Sequence, residues 1–285
     1  MNTRTTIILV VVVLWSMTLS ALAQPNEPSV MERVKWLQGP SIGRLGDIAE
    51  VRVPAGYVFA DAHDTRLLME AMHNPTSGTE LGFIAPARLD SFLVFEFEDT
   101  GYVKDDEKNS LDADAMLKAI QKGNEAANRA RAKRGWAPLN ITGWEQLPRY
   151  NPETHNLEWA IRAESEGSPV INWNTRLLGR SGVMKVTLVT DPKILHETLP
   201  HYQTLLGGYS YSSGHRYAEF RQGDKMAHYG LSALVVGGAT AVAAKTGILK
   251  SLWKALVVGF LAGIGVLRKL FTRKKEAGLQ YTRHE

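Results

Sequence analysis

The chain has 285 residues, a formal net charge of +4 and no cysteine. The lack of cysteine excludes disulfides, a lipoprotein anchor, thiolate metal sites and a cysteine nucleophile. The basic excess is regional, because residues 24–225 hold 23 Lys and Arg against 27 Asp and Glu, whereas residues 226–285 hold 9 against 2. This distribution indicates a membrane-topology signal and argues against nucleic acid as a partner.

The first 23 residues are typical of an export signal. Arg4 supplies the positive start, Ile7–Leu19 the apolar segment, and Ala21–Ala23 the small residues before a cleavage site. We therefore expect a signal peptide over residues 1–23 and an exported domain over residues 24–225. An uncleaved N-terminal anchor is the alternative, although the apolar segment is short for a membrane span.

The exported domain begins with a polar, proline-containing stretch. We interpret residues 24–45 as a linker that holds one helix around Val30–Leu37. Alternating apolar residues predict a strand over Ile48–Val53, and the turn at Pro54–Tyr57 leads into a second strand that ends at Ala60.

A short helix and a strong strand come next. The helix is expected over Arg66–Met72, with Asp64 or Thr65 as its cap. Ser91–Glu98 is rich in aromatic and β-branched residues and predicts a strand whose two glutamates point outward.

An acidic loop, defined as Asp99–Asp114, leads into the longest predicted helix. The helix is expected over Leu111 to about Lys133, with Asn109 or Ser110 as its cap. Acidic residues at its start and basic residues at its end both match the helix dipole.

The second half of the domain predicts a β-meander followed by a helix. Turn signals separate four β segments, which are Asn140–Trp144, Asn156–Ala163, Val170–Leu178 and Val183–Val189. A helix from Asp191 to about Leu206 and a strand at Tyr209–Tyr211 follow. The expected fold is α+β, with one antiparallel sheet, a long inserted helix and a helix after the meander. This order of elements is loosely similar to the PsbP-type fold.

The C-terminal region is strongly apolar. Residues 226–271 predict a membrane anchor with one or two hydrophobic helices, and residues 272–285 form a basic tail. A single crossing by Tyr229–Ile248 places the tail in the cytoplasm, in agreement with the positive-inside tendency. A span over Ile248–Leu267 or a hairpin through both apolar runs is the alternative.

Five unusual strings occur in one order along the chain. They are GYVKDD (Gly101–Asp106), LDADAM (Leu111–Met116), HNLEWAI (His155–Ile161), NTRLLGRSGV (Asn174–Val183) and RYAEFRQGDK (Arg216–Lys225). Together they resemble the domain-of-unknown-function family 2167 of membrane-anchored bacterial proteins, over the chain from about Gly39 to the tail. The resemblance implies an exported domain with a C-terminal anchor and transfers no activity, substrate or catalytic residue.

The acidic loop is the best candidate for a hard-cation site, with Asp99, Asp105 and Asp106 as weak candidate ligands. It departs from the EF-hand pattern, so we interpret its charges as a solvated helix start. His63, with neighbouring acids and His73 one helix away, raises the alternative of acid–base chemistry. The sequence shows no catalytic signature and no cofactor signature.

Two further features of the sequence are candidate sites. Ser181 lies in a Gly-Arg-Ser-Gly run that lacks the second glycine of a nucleophile elbow and predicts a hairpin turn. Aromatic residues are numerous in and after the meander, where most are expected in the core and some could line a pocket. They are Trp144, Tyr150, Trp159, Trp173, Tyr209, Tyr211 and Tyr217.

These features predict a non-catalytic binding or interaction module of the cell envelope. Its expected place is the bacterial inner membrane, with the main domain in the periplasm and the tail in the cytoplasm. The expected partners are the lipid bilayer and other envelope proteins. A periplasmic hydrolase that uses an Asp/His or metal site, centred on Asp105, Asp106 and His63, is one alternative. A lipid- or glycan-binding domain that uses the meander aromatics is the other.

Overall fold

The computed structural model describes residues 29–237. The elements in this range are α1 (Val30–Arg33), β1 (Leu37–Gln38), β2 (Ser41–Leu45), β3 (Ala49–Val53), β4 (Tyr57–Asp61), α2 (Ala62–Ala71), β5 (Glu80–Pro86), β6 (Ser91–Glu98), α3 (Ala113–Ala132), β7 (Asn140–Asn151), β8 (Asn156–Ser165), β9 (Ser168–Leu178), β10 (Val183–Thr190), α4 (Leu195–Gly207), β11 (Tyr209–Tyr211) and α5 (Leu231–Val236). The predicted signal peptide lies outside the described residues.

The strands form an eight-stranded antiparallel sheet in the order β1-β4-β5-β6-β10-β9-β8-β7. The α+β fold, the meander β7 to β10 and the helix that follows it are as the sequence predicted. The expectation of one sheet was wrong, because β11, β3 and β2 form a separate three-stranded sheet. Its strand β2 lies within the stretch that was interpreted as a linker.

The two sheets are joined at Gly39, between β1 and β2. A Cβ atom at this residue would lie 1.8 Å from the carbonyl oxygen of Pro54, so only glycine allows the two backbones to approach this closely. The crossing brings β2 over the large sheet, where Gly43 lies against the ring of Phe59.

Each face of the large sheet has its own apolar core. One face is covered by the helices α1, α2, α3 and α5, and its core includes Phe83, Phe92, Ile120, Trp159 and Leu231. The other face is covered by the small sheet and α4, and its core includes Leu45, Phe95, Val186, Tyr202 and Leu205. Charged side chains that point to either face are therefore desolvated unless they lie near an edge.

The caps of α2 and α3 differ from those expected. Asp61 caps α2 by accepting a hydrogen bond from the Asp64 N–H at 3.0 Å, so the helix begins four residues earlier than predicted. Asp112 caps α3 through the Ala115 N–H at 2.9 Å. Ser110 does not take that role, because the helix begins three residues later, at Ala113; its N–H and hydroxyl both donate to the carbonyl oxygen of Glu107 instead.

The C-terminal segment is part of the domain as far as α5. Leu231, Leu234 and Val235 are 0–2% exposed and belong to the core beneath α3. The packed core thus includes α5, which ends at Val236. Within residues 29–237 no helix is long and apolar enough to cross a bilayer. The greater part of the expected spans lies beyond this range.

The acidic loop holds this segment in place. The Glu107 carboxylate accepts a hydrogen bond from the Ser232 N–H at the start of α5, at 2.7 Å. The Tyr102 backbone pairs with the chain on both sides of Met226, through the Lys225 carbonyl oxygen at 2.8 Å and the Ala227 N–H at 2.9 Å. The loop therefore acts as a clamp on the residues that lead into α5.

Candidate functional site

Charged side chains form a row across the middle of the large sheet. The strand register places Glu80, Glu96, Lys185 and Arg176 side by side on four neighbouring strands. The Lys185 Nζ lies 3.4 Å from Glu96 Oε1 and 3.3 Å from Glu98 Oε1. The prediction that the two β6 glutamates point outward was wrong, because both face Lys185 on the helix-covered side of the sheet.

The electrostatics of this row favour a structural ion pair. Burial lowers the pKa of Lys185, but the two glutamates together outweigh burial and raise it. Burial lowers the pKa of Arg176, which is 8% exposed and lies 4.5 Å from the centre of the Trp159 ring. Since Lys185 stays protonated between two carboxylates, it is not available as a nucleophile or base.

The three candidate metal ligands of the acidic loop have different surroundings. Asp99 is 72% exposed and pairs with Lys225 at 3.4 Å, whereas Asp105 pairs with Lys108 at 3.8 Å. Asp106 is exposed. Among residues 29–237, no group of three or more His, Asp or Glu side chains is placed to hold a metal ion.

In the alternative centred on His63, the histidine lies on α2 and not near the acidic loop. His63 is 75% exposed at the start of α2, and its Nε2 lies 4.0 Å from the Asp64 carboxylate. That carboxylate accepts a hydrogen bond from the Lys35 N–H at 2.7 Å and so fixes the position of the chain after α1. The helix packs against α1, β4 and β5, whereas the acidic loop contacts Lys225 and Ser232.

The turn that holds Ser181 is a β-hairpin, as predicted, and it fastens the C-terminal segment. The Ser181 carbonyl oxygen accepts a hydrogen bond from the Gly101 N–H at 3.0 Å. The Arg180 guanidinium donates twice to the Asp224 carboxylate, at 2.7 and 2.8 Å. The two hydrogen bonds from Arg180, together with the one that the Arg221 N–H donates to the same carboxylate, lower the pKa of Asp224 to about 2.

The meander aromatics serve packing and internal hydrogen bonds. The Tyr211 hydroxyl donates to the Leu177 carbonyl oxygen at 2.7 Å and accepts from the Met184 N–H at 3.0 Å. The Tyr217 hydroxyl donates to the Val103 carbonyl oxygen at 2.9 Å. None of the seven aromatics weighed from the sequence lines the groove described next.

An open groove of about 660 Å³ lies between the small sheet and the C-terminal end of α4. Its lining residues come from three separate parts of the chain and are Pro40, Ser41, Ile42, Arg52, Val53, Pro54, Thr204, Gly207 and Gly208. The Ile42 side chain is 47% exposed on its outer rim. Apolar side chains and two glycines make most of this surface, which suits an apolar ligand.

Two polar features accompany the apolar surface. Within the described part of the chain, the Ser41 hydroxyl is buried and has no hydrogen-bond partner. The strand that carries it, β2, is the terminal strand of the small sheet and pairs with β3 on one side only. The groove can therefore offer an apolar floor beside the main chain of an edge strand.

Sequence reasoning missed this groove, because no motif joins its three parts. An apolar residue at position 42, between Ser41 and Arg44 in a polar stretch, was the available signal. The Gly207–Gly208 pair was read correctly as the end of a helix, but its place beside β3 depends on the tertiary fold.

Comparisons with known proteins show the family and distant structural likenesses. Residues 38–268 match the family model described as Protein of unknown function (DUF2167). No curated protein matches the chain. The fold is similar to that of cyanobacterial PsbP (CyanoP) from Synechocystis sp. PCC 6803, with 11% identity and a TM-score of 0.40 over 68% of this chain and 99% of that protein.

Two other solved structures show similar likenesses. The Ran-binding protein Mog1p of Saccharomyces cerevisiae has 10% identity and a TM-score of 0.33, over 66% of this chain and 98% of that one. The immunity protein TplEi of the type VI secretion system (T6SS) from Pseudomonas aeruginosa has 9% identity and a TM-score of 0.28, over 58% of this chain and 46% of that one.

Proposed function

We propose that this chain, which belongs to the DUF2167 family of proteins of unknown function, is a non-catalytic interaction module of the bacterial cell envelope. Its groove between the small sheet and α4 binds an apolar stretch of a partner polypeptide. The export signal in residues 1–23 and the apolar sequence after Gly237 support a periplasmic domain tethered to the inner membrane, with the basic tail in the cytoplasm.

The observation that carries the proposal is the combination of surfaces in the groove. A polypeptide supplies apolar side chains for the apolar lining around Ile42 and main-chain polar groups for the unpaired edge of β2. A lipid chain carries no main-chain polar groups and could not pair with that strand edge. The groove therefore fits an extended polypeptide better than a lipid.

The proposal can be tested by photo-crosslinking in intact cells. A photoreactive phenylalanine analogue replaces Ile42 in the groove or, as a matched control, Leu147, an exposed leucine on β7. A second substitution, Gly207→Trp, fills the groove. A Cβ atom at Gly207 meets no atom within 4 Å, and its φ is not positive, so the new side chain enters open space without backbone strain.

We expect a polypeptide adduct from position 42 that is absent from position 147 and is lost when Gly207→Trp is present. A synthetic peptide that spans the crosslinked segment should then bind the purified chain and should bind the Gly207→Trp variant at least tenfold more weakly. Adducts of equal yield at both positions, or a yield that Gly207→Trp leaves unchanged, would contradict the proposal. An adduct that contains only lipid would support the lipid-binding alternative instead.

A further inference from the structure

A cationic and aromatic surface lies at the C-terminal end of α3, far along the chain from the groove residues. Arg129, Lys133 and Arg134 are exposed, and Trp136 is half-buried. The Arg134 guanidinium lies 4.8 Å from the centre of the Trp136 ring, and the His73 ring stacks on the same indole at 5.5 Å with an interplanar angle of 12°. We call these residues the α3-end surface.

Internal contacts fix the position of the indole but leave the exposed cations available. Arg131, in the same turn, is 6% exposed and donates to the Ala137 carbonyl oxygen at 2.6 Å and to the His73 carbonyl oxygen at 3.1 Å. Within residues 29–237, none of the three exposed cations forms an ion pair. The helix dipole favours cations here, but it does not explain the adjoining indole.

The apolar C-terminal sequence leaves the domain from its α3 side. The helix α5 begins at the Glu107 carboxylate, in the loop that leads into α3, and it packs against α3. The described chain ends at Gly237, directly after α5, and the sequence continues without a charged residue to Ala244. A membrane that receives this sequence would therefore face the side of the domain that carries α3.

We propose that the α3-end surface docks on an anionic phospholipid bilayer. Cations attract the phosphate groups of such lipids, and a Trp ring beside them is suited to the interface between headgroups and acyl chains. A nucleic acid is a poorer fit, because residues 24–225 carry more acidic than basic side chains and the unpaired cations of this surface lie at one helix end only. This docking does not depend on what occupies the groove.

The test uses the full chain reconstituted in lipid nanodiscs. Because the chain has no cysteine, one fluorophore can be placed by Ala132→Cys, at the end of α3, or by Thr154→Cys, in the exposed β7–β8 turn. Quenching by brominated lipids is measured in phosphatidylcholine discs with and without phosphatidylglycerol. If the chain does not enter discs, the same labelled protein is mixed with vesicles of the same two compositions.

Two sets of substitutions distinguish an effect of the α3-end surface from a general effect of positive charge on the domain. Arg129→Gln, Lys133→Gln and Arg134→Gln together remove its cations, whereas Lys118→Gln and Lys122→Gln remove two exposed cations from an earlier part of α3. One cation near an anionic surface contributes about a fivefold change in equilibrium, so the triple variant should shift the docked equilibrium about 100-fold. High salt should weaken docking of the wild type in the same direction.

We expect strong quenching at position 132 only in discs with phosphatidylglycerol, little quenching at position 154, loss in the triple variant and retention in the double variant. An absence of quenching at position 132 would overturn the proposal, as would equal quenching in neutral and anionic discs. So would an unchanged signal in the triple variant, or shielding of the label by a single-stranded oligonucleotide but not by anionic lipid.

Discussion

Replacement of Lys185 by methionine should test whether the charged row stabilises the fold. The Lys185 side chain is 14% exposed and lies between Glu96 at 11% and Glu98 at 26%. Methionine keeps most of the apolar stem and removes the ammonium group. The variant leaves two adjacent carboxylates on β6 in a site with little water, so each one loses its partner and the two repel each other.

The expected cost follows from burial and from the neighbours that remain. Removal of one partner from a buried ion pair destabilises a protein by about 3–5 kcal/mol. We expect the lower end, about 3 kcal/mol, because Glu98 reaches some solvent and Arg176 lies directly opposite position 185 in the register. The Thr79 hydroxyl, 3.4 Å from Glu96, also remains. A loss of this size is a large part of the 5–15 kcal/mol that is typical of a domain.

Urea unfolding of the purified full-length chain, followed by circular dichroism, measures this loss. With a urea dependence of about 1–3 kcal/mol per molar, the midpoint should fall by about 1–3 M. Lys118→Met, at an exposed position on α3, is the matched control and should change the midpoint little. The double variant Glu96→Leu with Lys185→Met should recover part of the loss, since it removes one of the stranded carboxylates.

A cost below about 1 kcal/mol for Lys185→Met would mean that the row is solvated in practice and would refute the reasoning. A double variant that is as unstable as both single changes added together would also contradict it. That result would assign the cost to lost packing, because two independent losses add whereas two members of one ion pair do not.

The Arg180–Asp224 pair should stabilise the fold fully above the ordinary Asp pKa of 3.8 and lose this effect as the pH falls toward 2, where the folded-state pKa of Asp224 lies. Unfolding midpoints of wild type and Asp224→Asn should therefore converge between about pH 4 and 2; a constant difference would contradict this. Glu107→Ala should lower the free energy of unfolding by about 1–2 kcal/mol, because α5 loses its N-terminal acceptor, and urea unfolding can measure it. The melting temperature should be equal with calcium and with chelator, in wild type and in the double variant Asp105→Asn and Asp106→Asn; a calcium-dependent rise in wild type alone would indicate a bound ion.

Local sequence patterns predicted the elements whose apolar residues recur at a regular spacing. The strand β6, the strands β8 to β10 and the helices α3 and α4 were placed within a few residues, because their apolar residues recur at strand or helix spacing. The strand β7 begins where it was predicted but ends at Asn151, seven residues beyond the predicted Trp144. The strand β5 was missed. Its residues Leu81–Ala85 are nearly all apolar, and a strand between two neighbours with both faces covered shows no alternation.

Long-range relationships explain the remaining differences. Glu96 alternates with apolar residues as a surface residue would, and only its pairing with β10 reveals that it faces Lys185. The cap formed by Glu107 acts on Ser232, which lies 125 residues later in the chain. The groove unites residues near positions 42, 53 and 207. Neither pairing nor register across such distances can be read from local spacing.

The burial of α5 has a practical consequence for how this protein can be divided. A cut placed by hydropathy after Lys225 removes Leu231, Leu234 and Val235 together with the uncharged run that contains them. Full burial of an apolar side chain contributes about 1.5–3 kcal/mol, so the three contribute about 5–9 kcal/mol, which is comparable to the whole stability of a domain. A soluble fragment that ends at residue 225 should aggregate, whereas one that ends at Gly237 should unfold cooperatively. We therefore expect the boundary at which this domain can be separated from its tail to lie inside the apolar sequence.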